Sequence, residues 1–367
     1  MKIAHLTSAH PRYDTRIFLK ECRSLAQAGH ETHLVVADGK GNEVRDLVGI
    51  HDVGASAGRL NRMMVATRKV YDKALELDAQ IYHFHDPELL PVGLRLKLKG
   101  KKVIFDAHED LPKQLMGKPY LNGLSKFLLS NLFKVIERVI CKRFDVIITA
   151  TPFITEKFKS INPASYTVSN FPMIGELACG EIDWSKKEKE VSYIGGIAAI
   201  RGISQVVSAM SYVKSGVRLQ LGGRFSESLV EKSAKADEGW SHVDELGFVS
   251  REGVRDALSR SVGGIVTFLS APNHIDAQPN KMFEYMSAGV PVIASNFPLW
   301  RQIIEGNGCG LCVDPMDPEK IAAAIDYLVE HPAEAEAMGR RGQRSVQEKY
   351  NWSIEEKVLL GIYAKLV

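Results

Sequence analysis

Short runs rich in β-branched residues recur along this chain with helical segments between them, and that alternation constrains the fold more than any other feature. Ile3 to Thr7, Thr32 to Ala37, Ile81 to His85, Lys102 to Asp106 and Val146 to Ala150 read as strands. Strands joined by crossover helices pair in parallel. The first helix is expected over Thr15 to Ala28, with Ile17, Leu19, Cys22 and Leu25 apolar and Gly29 as its stop. After Asn170-Phe-Pro172 and the charged run Lys186 to Glu190 the pattern begins again. The candidate strands there are Val191 to Gly195, Val217 to Gly222, His242 to Leu246, Gly264 to Phe268, Val290 to Ala294 and Leu311 to Val313. The expected fold class is therefore α/β, with two doubly wound Rossmann-like domains, residues 1–170 and 171–352, facing a central cleft. A length of 367 residues fits two cores better than one. Ligands of such sheets bind beyond the carboxyl ends of the strands, so functional residues are expected just after them. A terminal helical segment, 353–367, carries Ile354, Val358, Leu359, Ile362 and Leu366 on one apolar stripe and needs a partner surface.

Composition narrows the class. With 45% hydrophobic and 25% charged residues the chain is of the globular type. Five scattered cysteines (Cys22, Cys141, Cys179, Cys309 and Cys312) form no disulfide framework and fit a reducing compartment. The start resembles no signal peptide, and no stretch approaches the roughly 20 apolar residues of a membrane span. A cytoplasmic location is expected. Charge is unevenly divided, since residues 1–170 carry 26 Lys and Arg against 18 Asp and Glu, a net +8, while the remainder is at −5. Lys134, Arg138 and Lys142, four residues apart on one helical face, point to peripheral contact with an anionic membrane, at its inner face. The helix that bears them, Lys126 to Arg143, reads as mainly a core helix. No nucleic-acid partner is expected.

The stretch Asp276 to Ser295 is a polar loop, a short helix opened by Pro279, and a buried strand. The backbone N–H groups of Asn280 and Lys281, with the helix dipole and the Lys281 ammonium, make a phosphate site. Glu284, one turn on, is placed to accept ribose hydroxyls. A second loop, Tyr193 to Ile203, offers Gly195 and Gly196 for close ligand approach and Arg201 as a forked cation. Arg224 repeats the arrangement after the next strand. In the first half, His10 to Asp14, His83 to Glu88 and Asp106 to Asp110 concentrate His, Asp and Glu at strand ends. Such groups hydrogen-bond sugar hydroxyls or bind a metal. No ligand spacing is complete, so no metal is assigned.

Several separated motifs in order make the chain resemble a family 4 glycosyltransferase of the GT-B type, in particular the bacterial surface-polysaccharide branch. They are His10-Pro-x-x-Asp14-x-Arg16, Gly29-His-Glu31, His83-x-His-Asp-Pro-Glu-Leu-Leu-Pro91, Phe105-Asp-Ala-His-Glu109, Tyr193-Ile-Gly-Gly, Arg201-Gly, and Pro279-Asn-Lys-x-Phe-Glu-Tyr-Met-x-Ala-Gly-x-Pro-Val-Ile-Ala-Ser295. The resemblance implies an acceptor-binding N-terminal domain, a donor-binding C-terminal domain and a final helix that crosses back onto the first. It implies a retaining transferase that needs neither cofactor nor metal. The donor would be a nucleotide diphosphate sugar, UDP-linked in preference to GDP-linked, and the acceptor a glycan or lipid-linked molecule. Gly195, Gly196, Arg201, Arg224, Asn280, Lys281 and Glu284 would bind the donor, His108 and Asp276 would be catalytic, and His10, Asp14, Arg16, His85 and Glu109 would meet the acceptor. Two positions depart from the pattern. Asp276 stands where a glutamate is usual, and Gly196 where an arginine is usual. The competing functions are a nucleotide-sugar epimerase and a catalytically silent binding partner of the same shape.

Overall fold

A computed structural model describes residues 1–56, 58, 61–116, 122–177 and 183–366. Cys179 and Val367 lie outside them. The chain divides into two units, Met1–Asn170 with Ile354–Val367, and Phe171–Ser353.

The first unit holds β1 (Lys2–Leu6), α1 (Ile17–Cys22 continuing as Arg23–Gln27), β2 (Glu31–Val36), β3 (Glu43–Arg45), β4 (Val48–Asp52), α2 (Thr67–Leu77), β5 (Ile81–Phe84), α3 (Leu90–Leu98), β6 (Lys102–Ala107), α4 (Leu111–Met116), α5 (Gly123–Cys141), β7 (Val146–Thr149), α6 (Pro152–Lys159) and β8 (Ser165–Thr167). Its sheet runs β3-β4-β2-β1-β5-β6-β7-β8 and is parallel except for β3. Strands covered on both faces have no polar side to show, which is why β5 and β7 are buried at every residue.

Three strands escape the sequence reading. β3 and β8 have three residues each and sit at the two sheet edges, where brevity limits the unpaired backbone on offer. β4 is interrupted by Gly49 and follows a turn in which Asp46 and Leu47 take positive φ of 51° and 65°. The first helix also begins later than expected. Asp14 accepts the amide hydrogens of Arg16 and Ile17 at 2.8 and 3.0 Å and so fixes the helix start. A π-helical turn, Ile17–Cys22, then runs into Arg23–Gln27, and together they form α1.

The core reading of Lys126 to Arg143 is corrected. In α5 only Ser130, Glu137 and Cys141 are buried, while Leu124, Phe127, Leu128, Leu132, Val135 and Val139 are 45–69% exposed. An apolar stripe of helical period is present, but it faces outward.

The second unit holds β9 (Glu190–Ile194), α7 (Ile203–Met210), β10 (Arg218–Gly222), α8 (Ser228–Lys235), β11 (Val243–Gly247), α9 (Arg251–Arg260), β12 (Gly263–Val266), α10 (Asn280–Ser287), β13 (Val292–Ser295), α11 (Pro298–Ile304), β14 (Gly310–Val313), α12 (Pro318–Glu330) and α13 (Pro332–Glu348). All neighbours in its sheet, β11-β10-β9-β12-β13-β14, are parallel. β13 starts at Val292 rather than Val290, after Pro291, which has no N–H for a ladder. A last helix, α14 (Trp352–Ala364), begins in the second unit and ends in the first.

Trp300 in α11 is fully buried, packs on Phe268 and Phe297 at centroid distances of 5.5 and 5.0 Å, and donates its indole N–H to the Ala277 carbonyl at 2.7 Å. It thereby ties the loop before α10 to the core. Trp300→Ala is expected to lower unfolding stability by about 3–5 kcal/mol, measured by urea denaturation, because both a large cavity and a lost indole partner result. A loss below about 1 kcal/mol would mean the loop is held by other contacts.

Candidate functional site

Two clusters collect the residues singled out from the sequence, one in each unit. In the second unit, β9 ends at Ile194 and leads into Gly195, whose φ of 121° suits glycine. Lys281, in the first turn of α10, reaches this backbone. A Cβ on Gly195 would lie 3.4 Å from Lys281 Cε and 3.7 Å from its Nζ. The ammonium also lies 3.9 Å from the centre of the Tyr193 ring and 5.5 Å from that of Phe268. It is buried, and its nitrogen has no hydrogen-bond partner among the described residues. Burial therefore penalises the charged form, Arg201 adds repulsion, Glu284 opposes both, and the pKa of Lys281 falls to about 7.

The absent arginine at position 196 has a geometric answer. A Cβ on Gly196 would lie 2.5 Å from Arg201 Nη1, so the Arg201 guanidinium fills the space that a side chain there would need. Arg201 donates to the Gly196 carbonyl at 3.1 Å and lies over Phe268 at 5.5 Å. Positive charge at this loop is thus supplied from five residues downstream. Arg224 is exposed, its guanidinium covers the Phe248 ring at 5.3 Å, and its carbonyl accepts the Ile197 amide hydrogen at 3.1 Å, beside the Gly195-Gly196 loop.

Pro279 is the N-cap of α10 rather than its first residue, and Asn280 is exposed at the helix start. Asp276 is half-buried in the preceding loop. Glu284 is held by a residue that the sequence reading missed. Arg251, at the start of α9, donates from Nη1 to Glu284 Oε1 at 2.7 Å and from Nε to Glu176 Oε1 at 2.8 Å. No local signal marks Arg251, since its two partners are 33 and 75 residues distant. Backbone glycine, an ammonium without a hydrogen-bond partner among the described residues, a guanidinium and a clamped carboxylate have the chemistry to receive a dianion joined to a polyol.

In the first unit Asp106, at the end of β6, is a buried hub. Arg16 donates to both its oxygens at 2.8 Å, and ring nitrogens of His85 and His108 lie 3.2 and 3.0 Å from Oδ2. Burial opposes its charge, but Arg16 and His108 outweigh this and hold the carboxyl well below the usual range. A second buried carboxylate, Asp86, accepts from the Thr7 hydroxyl at 2.8 Å and the Ser8 amide at 2.6 Å, and pairs with His10 at 2.9 Å. Burial again opposes charge on His10, and the Asp86 hydrogen bond and field reverse that and raise its pKa.

The five residues expected to meet an acceptor are therefore unlike one another. His10 is partly open and Glu109 is exposed, where it accepts from Gln114. Arg16 and His85 are 3% and 2% exposed, with their polar atoms spent inside the unit, and Asp14 caps α1. This corrects the direct-contact reading of Arg16 and His85, because a buried, fully engaged guanidinium or imidazole supports a loop rather than reaching out of it. His108 keeps a fifth of its side chain exposed beside His10, at a ring distance of 5.1 Å.

Comparison with known proteins agrees with both halves. A model described as Glycosyltransferase Family 4 matches residues 15–168, and one described as Glycosyl transferases group 1 matches residues 180–345. An uncharacterized glycosyltransferase of Methanocaldococcus jannaschii is 21% identical over 271 residues, which cover 70% of this chain and 64% of that protein. The match thus spans just under two thirds of that relative's length. Sucrose-phosphate synthase from Thermosynechococcus elongatus superposes over 100% of this chain and 98% of that one, with a TM-score of 0.78 and 18% identity. Anabaena HepE in complex with UDP-glucose does so over 100% of both chains, with a TM-score of 0.76 and 13% identity. These two likenesses show the fold. With one family model on each unit and a common two-sheet architecture, the chain belongs to glycosyltransferase family 4 and has the GT-B fold.

Proposed function

We propose that this protein is a retaining glycosyltransferase that passes a sugar from a nucleotide diphosphate donor to a glycan or lipid-linked acceptor in cell-surface polysaccharide synthesis. One observation carries the reading: the Lys281 ammonium is buried without a partner between Gly195 and Arg201, one helical turn from a clamped Glu284. When the bond from the sugar to the phosphate oxygen breaks, negative charge grows on the leaving diphosphate. Lys281, Arg201 and the free amide groups at the start of α10 are aimed where that charge develops. Glu284 takes the ribose hydroxyls, its direction set by Arg251. UDP is preferred over GDP, which the UDP-glucose complex of the Anabaena relative supports. Side-chain cations supply the charge that a diphosphate needs, so the transfer step is assigned no metal and no cofactor.

The second unit is accordingly the donor domain and the first the acceptor domain. His108 and Asp276 act at the sugar, His10 and Glu109 meet the acceptor, and Asp14, Arg16 and His85 shape the loops that carry them. The exposed stripe on α5, with Lys134, Arg138 and Lys142 also exposed, supports peripheral contact with an anionic membrane at the cytoplasmic face. No helix among the described residues is long and apolar enough to cross a membrane.

Release of free nucleotide diphosphate from a panel of UDP- and GDP-sugars, without added metal, is expected with one donor and to fall roughly 10–100-fold in kcat/KM for Glu284→Ala, the loss of hydrogen bonds to a charged group. Interconversion of free sugar nucleotides would instead establish an epimerase, and binding without turnover a silent partner. Lys281 adds a pH dependence. Below about pH 7 the ammonium exists before the nucleotide binds, whereas above it binding must take up a proton, because the bound anion raises the lysine pKa. From pH 7 to about pH 9, where the terminal phosphate of UDP is already ionised, the UDP dissociation constant is expected to rise by up to about tenfold per unit, and to stay flat over that range in Lys281→Met. Equal slopes in both proteins would remove Lys281 from the diphosphate. For the membrane contact, binding to phosphatidylserine vesicles is expected to weaken roughly 100-fold when Lys134, Arg138 and Lys142 are changed together to Gln, at about 1 kcal/mol for each positive charge removed. Leu128→Asp with Leu132→Asp is expected to abolish it, and unchanged co-sedimentation of either variant would exclude α5 as the contact.

A further inference from the structure

Four side chains converge inside the first unit behind the acceptor loops. His5 on β1 faces His83 in the parallel register of β1 and β5, His85 follows at the end of β5, and Glu21 descends from the π-helical turn of α1. The side chains of all four are 0% exposed. One nitrogen from each imidazole and one carboxylate oxygen lie within 4.8 Å of one another. Glu21 Oε2 is 3.9 Å from His5 Nδ1, 3.8 Å from His83 Nδ1 and 4.0 Å from His85 Nε2, and the His5 and His85 nitrogens are 3.0 Å apart. A tetrahedral ion with bonds of about 2.0–2.1 Å keeps its ligands roughly 3.4 Å apart, within this spread.

The polar accounting points the same way. Neither Glu21 oxygen nor His83 Nε2 has a hydrogen bond of good geometry among the described residues, although Glu21 Oε1 is ion-paired with Arg16 at 3.2 Å and the Glu21 carboxyl also interacts with that of Asp106. Buried oxygens and nitrogens are rarely left so. The outer contacts of His5 and His85 are those that metal-bound histidines need. His85 Nδ1 faces Asp106 Oδ2 at 3.2 Å and the Tyr363 hydroxyl lies 3.3 Å from His5 Nε2, while on His83 the same hydroxyl takes Nδ1 at 2.8 Å, the nitrogen nearer Glu21, and leaves Nε2 as the unbonded one. A carboxylate or hydroxyl on the far ring nitrogen fixes the tautomer and leaves the near nitrogen to ligate.

We propose that His5, Glu21, His83 and His85 bind one divalent transition-metal ion, zinc by the character of an imidazole-rich donor set, as a closed structural site that ties α1 to β1 and β5. The site lies wholly within the first unit, is shut off from solvent and takes no part in sugar transfer. It also gives buried His85 an internal task.

The test is metal content and cobalt spectroscopy on the full chain. Protein grown with zinc is expected to hold one zinc per chain. After chelation, added Co2+ is expected to give the strong visible bands of a tetrahedral site, and added Zn2+ to raise the melting temperature. Glu21→Gln is expected to hold less than about a tenth of the wild-type zinc. The pair His33→Asn and His51→Asn, whose rings meet at 3.0 Å elsewhere in the same sheet, is expected to retain it. Loss of zinc from that pair, with Glu21→Gln unaffected, would move the site to His33 and His51 and overturn the proposal. Substoichiometric zinc in wild type, with no cobalt bands and no thermal shift, would overturn it independently of how any variant folds, and would leave Glu21 as a protonated carboxyl of a metal-free core.

Discussion

Arg16 and Asp106 are buried together, and neither is tolerable in the interior alone. A lone guanidinium or carboxylate taken out of water costs several kcal/mol, which only a well-formed pair with further hydrogen bonds offsets. Here the pair is bidentate, and the remaining donors of Arg16 go to the Val168 carbonyl while the remaining capacity of Asp106 goes to His85 and His108. Three distant stretches of chain are brought into register by this requirement: the start of α1, the end of β6 and the residues after β8. The loops that bear His10 and His108 inherit their positions from it.

The second unit reaches the same end with fewer charges. Its glycine loop rests against one buried ammonium that lies on aromatic faces and has no hydrogen-bond partner among the described residues. Such a cation is costly without a partner and its proton is loosely held, so the energy stored in burying it becomes available when an anion arrives. Arg251 plays a complementary part, holding Glu284 in one direction by an ion pair that is only half exposed.

Much of this was legible in the order of residues, and the reasons are local. Parallel strands buried on both faces leave continuous apolar runs, so β1, β2, β5, β6, β7 and most of the second sheet announce themselves. Lys281 and Glu284 were legible because their helix spacing places them one turn apart. Arg251 was not, because its meaning depends on carboxylates far away in sequence. The α5 stripe was visible as a period, but a period does not say whether protein or water faces it. Asp14 carried an ambiguous signal: an aspartate at a helix start is a cap as readily as a ligand, and here it is the cap. Gly196 looked like a lost cation until the space above it was found to hold Arg201.

Tyr363 meets His5 and His83 across almost the full span of the sequence. During synthesis on a ribosome the first unit therefore emerges without one of its own parts. Residues 171–353 form a continuous segment and can reach their native fold as soon as they leave the exit tunnel, while the segment made before them must wait with two inward-facing histidines lacking their tyrosine partner. The order of birth is thus the reverse of the order of completion, and the half made first is the one that depends longest on protection from solvent and from other nascent chains.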